Sequence, residues 1–323
     1  VINHARLGQA RSPSGLMHLK PRNLLGLFYV GLGLVVTAVS LFLSASGVLA
    51  LWLVGQVLLA LALVQWFVLL HECGHETLFR SKWIHVYVGH LAAFFSGIPF
   101  HNWKRIHAKH HKWTGWQDLD PTTETLVPRE LGRFEKTLAN VCWKFWIPLF
   151  AVIYRVNNFW NAPRLKKIFP KKTDRRQLLW NIVILATVYV ALLFVVGFGQ
   201  FVRLTGVGIL LSLMFQEWII LSQHTHIPMG LSHGEKVAPY PAIEQEPFTR
   251  SLTFPRWFSS NILLNMDAHE LHHMYPFVPA YHLRRIDQPT QNLFGWWRWI
   301  LAAKRVPGEV FLFHNRDETG LNL

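Results

Sequence analysis

An all-α membrane protein is the fold class that this sequence predicts, with four transmembrane helices in two hairpins and a cytoplasmic histidine-rich helical cap. Three observations predict it. The 323 residues are 51% hydrophobic with a mean hydropathy of +0.21, more apolar than a typical soluble domain of this size. Four nearly uncharged runs are each long enough to cross ~30 Å of hydrocarbon at ~1.5 Å per helical residue. Lys and Arg keep out of these runs, and Arg203 alone falls in a link on the far side from the rest.

Residues 24–45 and 48–70 form the first pair of runs, broken by the short Ser44-Ala45-Ser46-Gly47 stretch. Between the pairs, the apolar stretch from Trp83 to Phe100 is interrupted by His85 and His90 and ended by Pro99. It reads as a re-entrant or interfacial helix, because a fifth span would strand the histidines that follow on the far side. Val141 to Tyr154, with Pro148 inside it, reads as lying along the membrane surface. Basic and turn-rich residues from Asn161 to Arg176 then lead into residues 178–198 and 204–222, the second pair, arranged around Gly197-Phe198-Gly199-Gln200. Links this short suit tight helical hairpins. Near the end, Phe294-Gly295-Trp296-Trp297-Arg298-Trp299 suits either the headgroup layer or core packing. No segment reads as a separate domain, so residues 1–323 are expected to form one membrane-embedded unit. No cleavable signal peptide is read, and a first residue of Val1 points to a trimmed start.

A net charge of +14 and a pI near 10.1 raise the question of nucleic acid. The placement of the charge answers it. Apart from Arg203, every Lys and Arg falls in the N-terminal arm, in residues 80–176 or after residue 222. With four spans these segments share one side, and the positive-inside rule makes that side the cytoplasm. Basic residues there favour anionic headgroups, and no base-reading motif accompanies them. The two cysteines, Cys73 and Cys142, give no disulfide framework, which fits a reducing compartment.

Nine histidines in four short clusters have the spacing of metal ligands. They stand in His71-Glu72-Cys73-Gly74-His75, His107-Ala108-Lys109-His110-His111, Gln223-His224-Thr225-His226 and His269-Glu270-Leu271-His272-His273, with His226 beside them as a tenth. On a helix, positions i, i+3 and i+4 share a face, so each cluster projects two or three imidazoles in one direction. Nine exceed the roughly four ligands of one zinc ion, so two metal ions are expected. Topology agrees, since all four clusters fall at the cytoplasmic ends of spans or in cytoplasmic segments. Cys73, inside the first cluster, reads as a small packing residue and not as a thiolate ligand. Two clusters also fit HExxH, the signature of a zinc protease. That alternative leaves the cluster at residues 107–111 without a purpose.

The chain resembles the integral-membrane fatty acid desaturases of the three-histidine-box superfamily. His71 to His75 is similar to the first box of acyl-lipid desaturases, with Glu72 in place of Asp. His107 to His111, with Thr114 and Asp118-Leu119-Asp120-Pro121, resembles the second box and its acidic tail. Gln223-His224-Thr225 resembles the element after the last span, and Asp267 to His273 with Tyr275-Pro276-Phe277-Val278-Pro279 resembles the third box. The likeness runs over roughly residues 24–290.

The resemblance implies a non-haem diiron centre that uses O2 and two electrons to attack an unactivated C–H bond of a lipid. It implies His71, His75, His107, His110, His111, His269, His272 and His273 as ligands, with His224, not His226, as the ninth. Asp118, Asp120, Asp267 and Glu270 are candidates to accept the free imidazole N–H groups and fix the rings. Loss of two hydrogens would give an alkene, the expected outcome. Hydroxylation or ketolation of an acyl chain, alkane or carotenoid is the second possibility, and a non-catalytic metal-binding or transport protein the third. With no haem or flavin domain in these residues, an external ferredoxin or cytochrome b5 is the expected electron donor. The expected location is a bacterial inner membrane or the endoplasmic reticulum, with the site facing the cytoplasm.

Overall fold

The computed structural model describes residues 13–16 and 18–323. The expectation for the charged N-terminal arm falls partly on residues 1–12 and 17, outside the described residues. The chain is mostly helical, and among the described residues four helices are long and apolar enough to cross a membrane. They are α1 (Asn23–Ser44), α2 (Leu49–His75), α8 (Lys172–Val196) and α9 (Phe198–His224). Between them lie α3 (Lys82–Ser96), α4 (Phe100–Trp113), α5 (Arg133–Lys144), α6 (Leu149–Arg155) and α7 (Ala162–Ile168).

Three of these helices outrun their apolar stretches. α2 continues five residues past residue 70, because His71, Glu72 and Cys73 are buried against neighbouring elements and the helix stops only at Glu76, which adopts φ +60°. α8 begins at Lys172, ahead of residue 178, since Lys, Arg and Gln residues propagate an exposed helical turn about as readily as Leu. α9 begins at Phe198, so the second connection is the single residue Gly197 at φ +81° and not a loop reaching residue 203. Only glycine takes that conformation at little cost. Arg203 therefore sits inside α9, where its carbonyl accepts from Trp52 Nε1 at 2.9 Å.

α2 is the central helix. Two thirds of its apolar window is buried inside the protein, against 11% for α8, so α8 presents most of its surface outward. α2 packs on α1, α3 and α9. α3 has 15 residues and is not among the four candidate spans. Arg133–Lys144 and Leu149–Trp160 are apolar enough together to be a span, but the chain bends by 112° between them, next to Pro148.

After α9 the chain is less regular. Ser251–Thr253 and Leu293–Gly295 form a two-stranded parallel sheet, β1 and β2, a small departure from the all-α expectation. Two extended segments pair there because each would otherwise leave backbone groups unbonded beside the buried residues 269–274. The short helices α10 (Arg256–Asn261) and α11 (His269–Met274) stand between the strands, and α12 (Trp296–Ala303) follows β2. Of the aromatic run at residues 294–299, Trp299 is buried in a core cluster with Phe311 and Trp143, while Trp297 is exposed.

Candidate metal centre

The four histidine clusters come together at the C-terminal ends of α2 and α9. They form two groups. His71, His75, His107, His111 and His272 make one, and His110, His224, His269 and His273 make the other; within each, ring nitrogens lie within 4.8 Å of one another. The HxxHH pattern does not send three imidazoles the same way, as its spacing suggests. In α4 the i,i+4 pair His107 and His111 joins the first group and His110 the second. In α11 the pair His269 and His273 joins the second group and His272 the first. Each of these helices serves both groups.

Within the groups the Nε2 atoms face one another. His75 to His107 is 2.8 Å, His107 to His111 3.0 Å and His111 to His272 3.0 Å. In the second group His110 to His224 is 3.1 Å and His224 to His269 2.8 Å. The outer nitrogens explain which protons are where. His110 Nδ1–H donates to Asp120 Oδ2 at 2.6 Å, His224 Nδ1–H to the Phe248 carbonyl at 3.2 Å, and His71 Nδ1–H to Glu72 Oε1 at 3.2 Å. His273 Nδ1–H donates to Gln245 Oε1 at 3.0 Å. Gln245 cannot be flipped, because its amide Nε2 donates to the carbonyls of His111 and Tyr240. These acceptors hold the proton on Nδ1 and leave a lone pair on Nε2.

Lone pairs converging at about 3 Å repel one another unless a cation sits among them, and neutral imidazole is a ligand for iron and zinc. The buried Nε2 atoms of His71 and His273 have no hydrogen-bond partner among the described residues, as expected of nitrogens reserved for metal. Burial, reinforced by the neighbouring imidazoles, holds His107, His111, His269, His272 and His273 well below the ordinary imidazole value, so they stay neutral near pH 7. The donor set fits two metal ions.

Of the four carboxylates expected to orient imidazoles, Asp120 alone touches one. Asp118 instead accepts from the Ser232 backbone N–H and hydroxyl, closing a turn against residues 230–232. Asp267 turns away from α11 to Ser259, at 2.6 Å, and to Arg284. Glu270 bonds no histidine and accepts from the Asn292 N–H at 2.7 Å. Glu72 takes one of the vacated roles, and its second oxygen accepts from Thr77 and from the Ala280 N–H, both at 2.9 Å. Its place in the first cluster was a visible signal. Gln245 and the Phe248 carbonyl had none, since their contacts join segments more than 20 residues apart.

His226 stands apart from both groups. It takes φ +56° just after α9 ends, stacks near Phe311, and its Nε2 contacts the Thr319 hydroxyl at 2.9 Å. Arg250 is buried at this helix end and donates to the carbonyls of Ser222, Thr225 and His226. A cation there satisfies the last carbonyls of α9 and fixes the turn carrying His224. On the other side, Trp103 stacks on His107 with ring centroids 4.2 Å apart. Gly74 leaves room for it: a Cβ at that position would meet the indole at 2.3 Å.

Apolar space adjoins the groups. A cavity of about 70 Å³ is lined by His71, His107, His110, His224 and His269 together with side chains such as Phe67 and Ile219. It shares Leu126 and Phe150 with a cavity of about 300 Å³ rimmed by Arg129 and Glu135. It shares Gln216 with another of about 550 Å³ among the long helices.

Helices long enough to span a membrane, ending in two facing sets of imidazoles, define a membrane protein with two histidine groups that could each hold a metal ion. Residues 15–299 match the family described as fatty acid desaturase, and the chain belongs to that family. It is 26% identical over 239 residues to an sn-1 oleoyl-lipid 12-desaturase of Picosynechococcus, covering 72% of this chain and 67% of that one. It is 25% identical over 243 residues to the chloroplastic sn-2 acyl-lipid omega-3 desaturase (ferredoxin) of Arabidopsis thaliana, covering 71% and 52%. A third relative is the endoplasmic reticulum acyl-lipid omega-3 desaturase (cytochrome b5) of the same plant, 24% identical over 246 residues and covering 71% and 61%. The chain thus spans between about half and two thirds of the length of these curated relatives.

Proposed function

We propose that this chain is an O2-dependent oxidoreductase that introduces a C=C bond into a lipid acyl chain. The observation that carries this reading is the pair of histidine groups, their ring nitrogens converging beside a small, mostly apolar cavity. His71, His75, His107, His111 and His272 would hold one iron, and His110, His224, His269 and His273 the other. Bound iron would supply the activation of O2 that removes hydrogen from an unactivated C–H bond.

The protein's own part is positioning and exclusion of water. Phe67, Val64, Val68, Leu263, Met266 and Ile219 line the space beside the histidines and would press one stretch of methylenes against them. Asp120, Glu72, Gln245 and the Phe248 carbonyl keep His110, His71, His273 and His224 in one tautomer and orientation. The names of the relatives support an acyl-lipid substrate and either ferredoxin or cytochrome b5 as electron donor. The one-sided distribution of Lys and Arg supports a cytoplasmic site, on a single membrane-embedded domain with its spans in two hairpins. The test is expression in a host whose lipids are then analysed by mass spectrometry. Products lighter than their parents by two hydrogens are expected. Products heavier by one oxygen would replace desaturation with hydroxylation, and unchanged lipids from a well-expressed, iron-loaded protein would remove the reading altogether.

A further inference from the structure

Arg155 carries a cation into the interior of the protein with no carboxylate beside it. It is buried, its Nη1 donates to the Ser96 carbonyl at 2.8 Å, and its Nη2 donates to Gln216 Oε1. The guanidinium lies over the Phe67 ring, 5.9 Å from its centroid. Among the described residues its Nε has no partner. A solitary buried guanidinium is costly to desolvate, and nothing in the metal centre uses it. Its position is informative. Phe67 and Gln216 line the small cavity beside the histidines, while Arg155, Ser96 and Gln216 line the 550 Å³ cavity deeper among α1, α2, α8 and α9. The Arg155–Gln216 contact is a polar bar between the two cavities, at the one residue that lines both.

Resting on the reading of the protein as an acyl-chain oxidase, we propose that the deep cavity receives the methyl end of the acyl chain, and that Arg155 and Gln216 set how far the chain threads past the metal centre. They are specificity-determining positions. Along α9, Gln216 lies eight residues before His224, or about 12 Å, and Phe201 at the far wall lies about 22 Å beyond that. The bar therefore stands between the histidines and most of the available depth. A chain that passes it presents a carbon farther from its methyl end to the metals, whereas one that stops against it presents a carbon nearer that end. A guanidinium held by a carbonyl, an amide oxygen and an aromatic face yields to a methylene chain only by giving up those contacts, so the bar is selective.

Three variants test this. Gln216→Ala removes the bar, and Ile209→Trp and Leu192→Trp narrow the deep cavity at lining positions other than Arg155, Gln216 and the histidines. Each is expressed beside the wild type, and double-bond positions and chain lengths in total lipids are read by mass spectrometry of derivatised products. Gln216→Ala should move the oxidised carbon away from the methyl end, and the two tryptophan variants should shift the products at least threefold toward shorter chains. A second readout needs no turnover. Purified protein in nanodiscs of a phosphatidylcholine bearing a terminal photoreactive diazirine should be labelled at Leu213 and Ser212, and Leu192→Trp should lower that labelling while the exposed Phe194 stays labelled. Wild-type product with unchanged positions and chain lengths in all three variants would overturn the proposal. Equal labelling of the deep cavity in wild type and Leu192→Trp would do the same, as would total loss of product in both tryptophan variants at normal expression. A wild type that labels as expected but oxidises no lipid would count against the functional reading and leave the cavity assignment supported.

Discussion

Replacing Asp120 by asparagine alters the acceptor at the shortest imidazole contact of the centre while keeping its shape. Asp120 is 1% exposed. Its Oδ2 accepts from His110 Nδ1 at 2.6 Å, and its Oδ1 accepts from the Thr122 N–H and hydroxyl at 2.8 and 2.9 Å. In Asp120→Asn the remaining oxygen keeps both Thr122 bonds, and the new NH2 is set against the His110 N–H. One hydrogen bond to a charged acceptor is lost, worth about 1.5–3 kcal/mol. At about 1.4 kcal/mol per tenfold, this weakens metal binding in the group containing His110 by about 10- to 150-fold, in line with substitutions behind other metal-bound histidines. Competition of purified protein against a chelator of known affinity, in detergent, measures the change. Asp118→Asn is the control, since its carboxylate bonds Ser232 and no histidine. Asp118→Asn should match the wild type. Metal affinity in Asp120→Asn within threefold of the wild type, or an equal fall in both variants, would refute the reasoning.

Gly74→Ala should drive a methyl into Trp103 and displace its stacking on His107, costing about 1–3 kcal/mol of stability and lowering bound metal; thermal unfolding and elemental analysis of the same preparation check it. His224→Ala should abolish turnover and reduce iron, whereas His226→Ala should keep substantial activity because His226 faces Thr319; the opposite pattern at equal expression would show the wrong histidine was assigned. Stability should fall on acidification below about pH 6.5, since unfolding frees His107, His111, His269, His272 and His273 to take up protons that burial denies them, at up to about 1.4 kcal/mol per pH unit for each. Unfolding temperatures measured from pH 8 to pH 5 that stay flat would contradict this. Glu235→Cys in intact cells should resist membrane-impermeant thiol reagents if the basic side is cytoplasmic; rapid labelling would overturn the orientation.

The long helices were legible because an apolar run of spanning length has few alternatives, and the histidine clusters because ligand chemistry repeats at helical spacing. Helix ends were less legible. Hydropathy stops at residue 70, yet α2 runs on to His75, because polar residues there are satisfied by partners from distant segments. The orienting acceptors divided the same way. Glu72 and Asp120 act within or close to their own clusters and left a local trace. Gln245 and the Phe248 carbonyl are brought to His273 and His224 only by the packing of the chain after α9. Asp118 and Asp267 looked alike in sequence, and what separates them from Asp120 is the competing donors, Ser232, Ser259 and Arg284, that tertiary structure supplies.

The divided loyalty of α4 and α11 has a consequence for how the protein matures. An ion captured by His75, His107, His111 and His272 would immobilise the same two backbones that present His110, His269 and His273, so a second ion would meet donors already arrayed and forgo part of the ordering entropy of the first. Loading should then be cooperative, with singly metallated protein scarce at every intermediate metal concentration and a binding curve steeper than that of two independent sites. A wrong ion in either position would then template its neighbour, and discrimination between iron and zinc would fall at the moment of first capture.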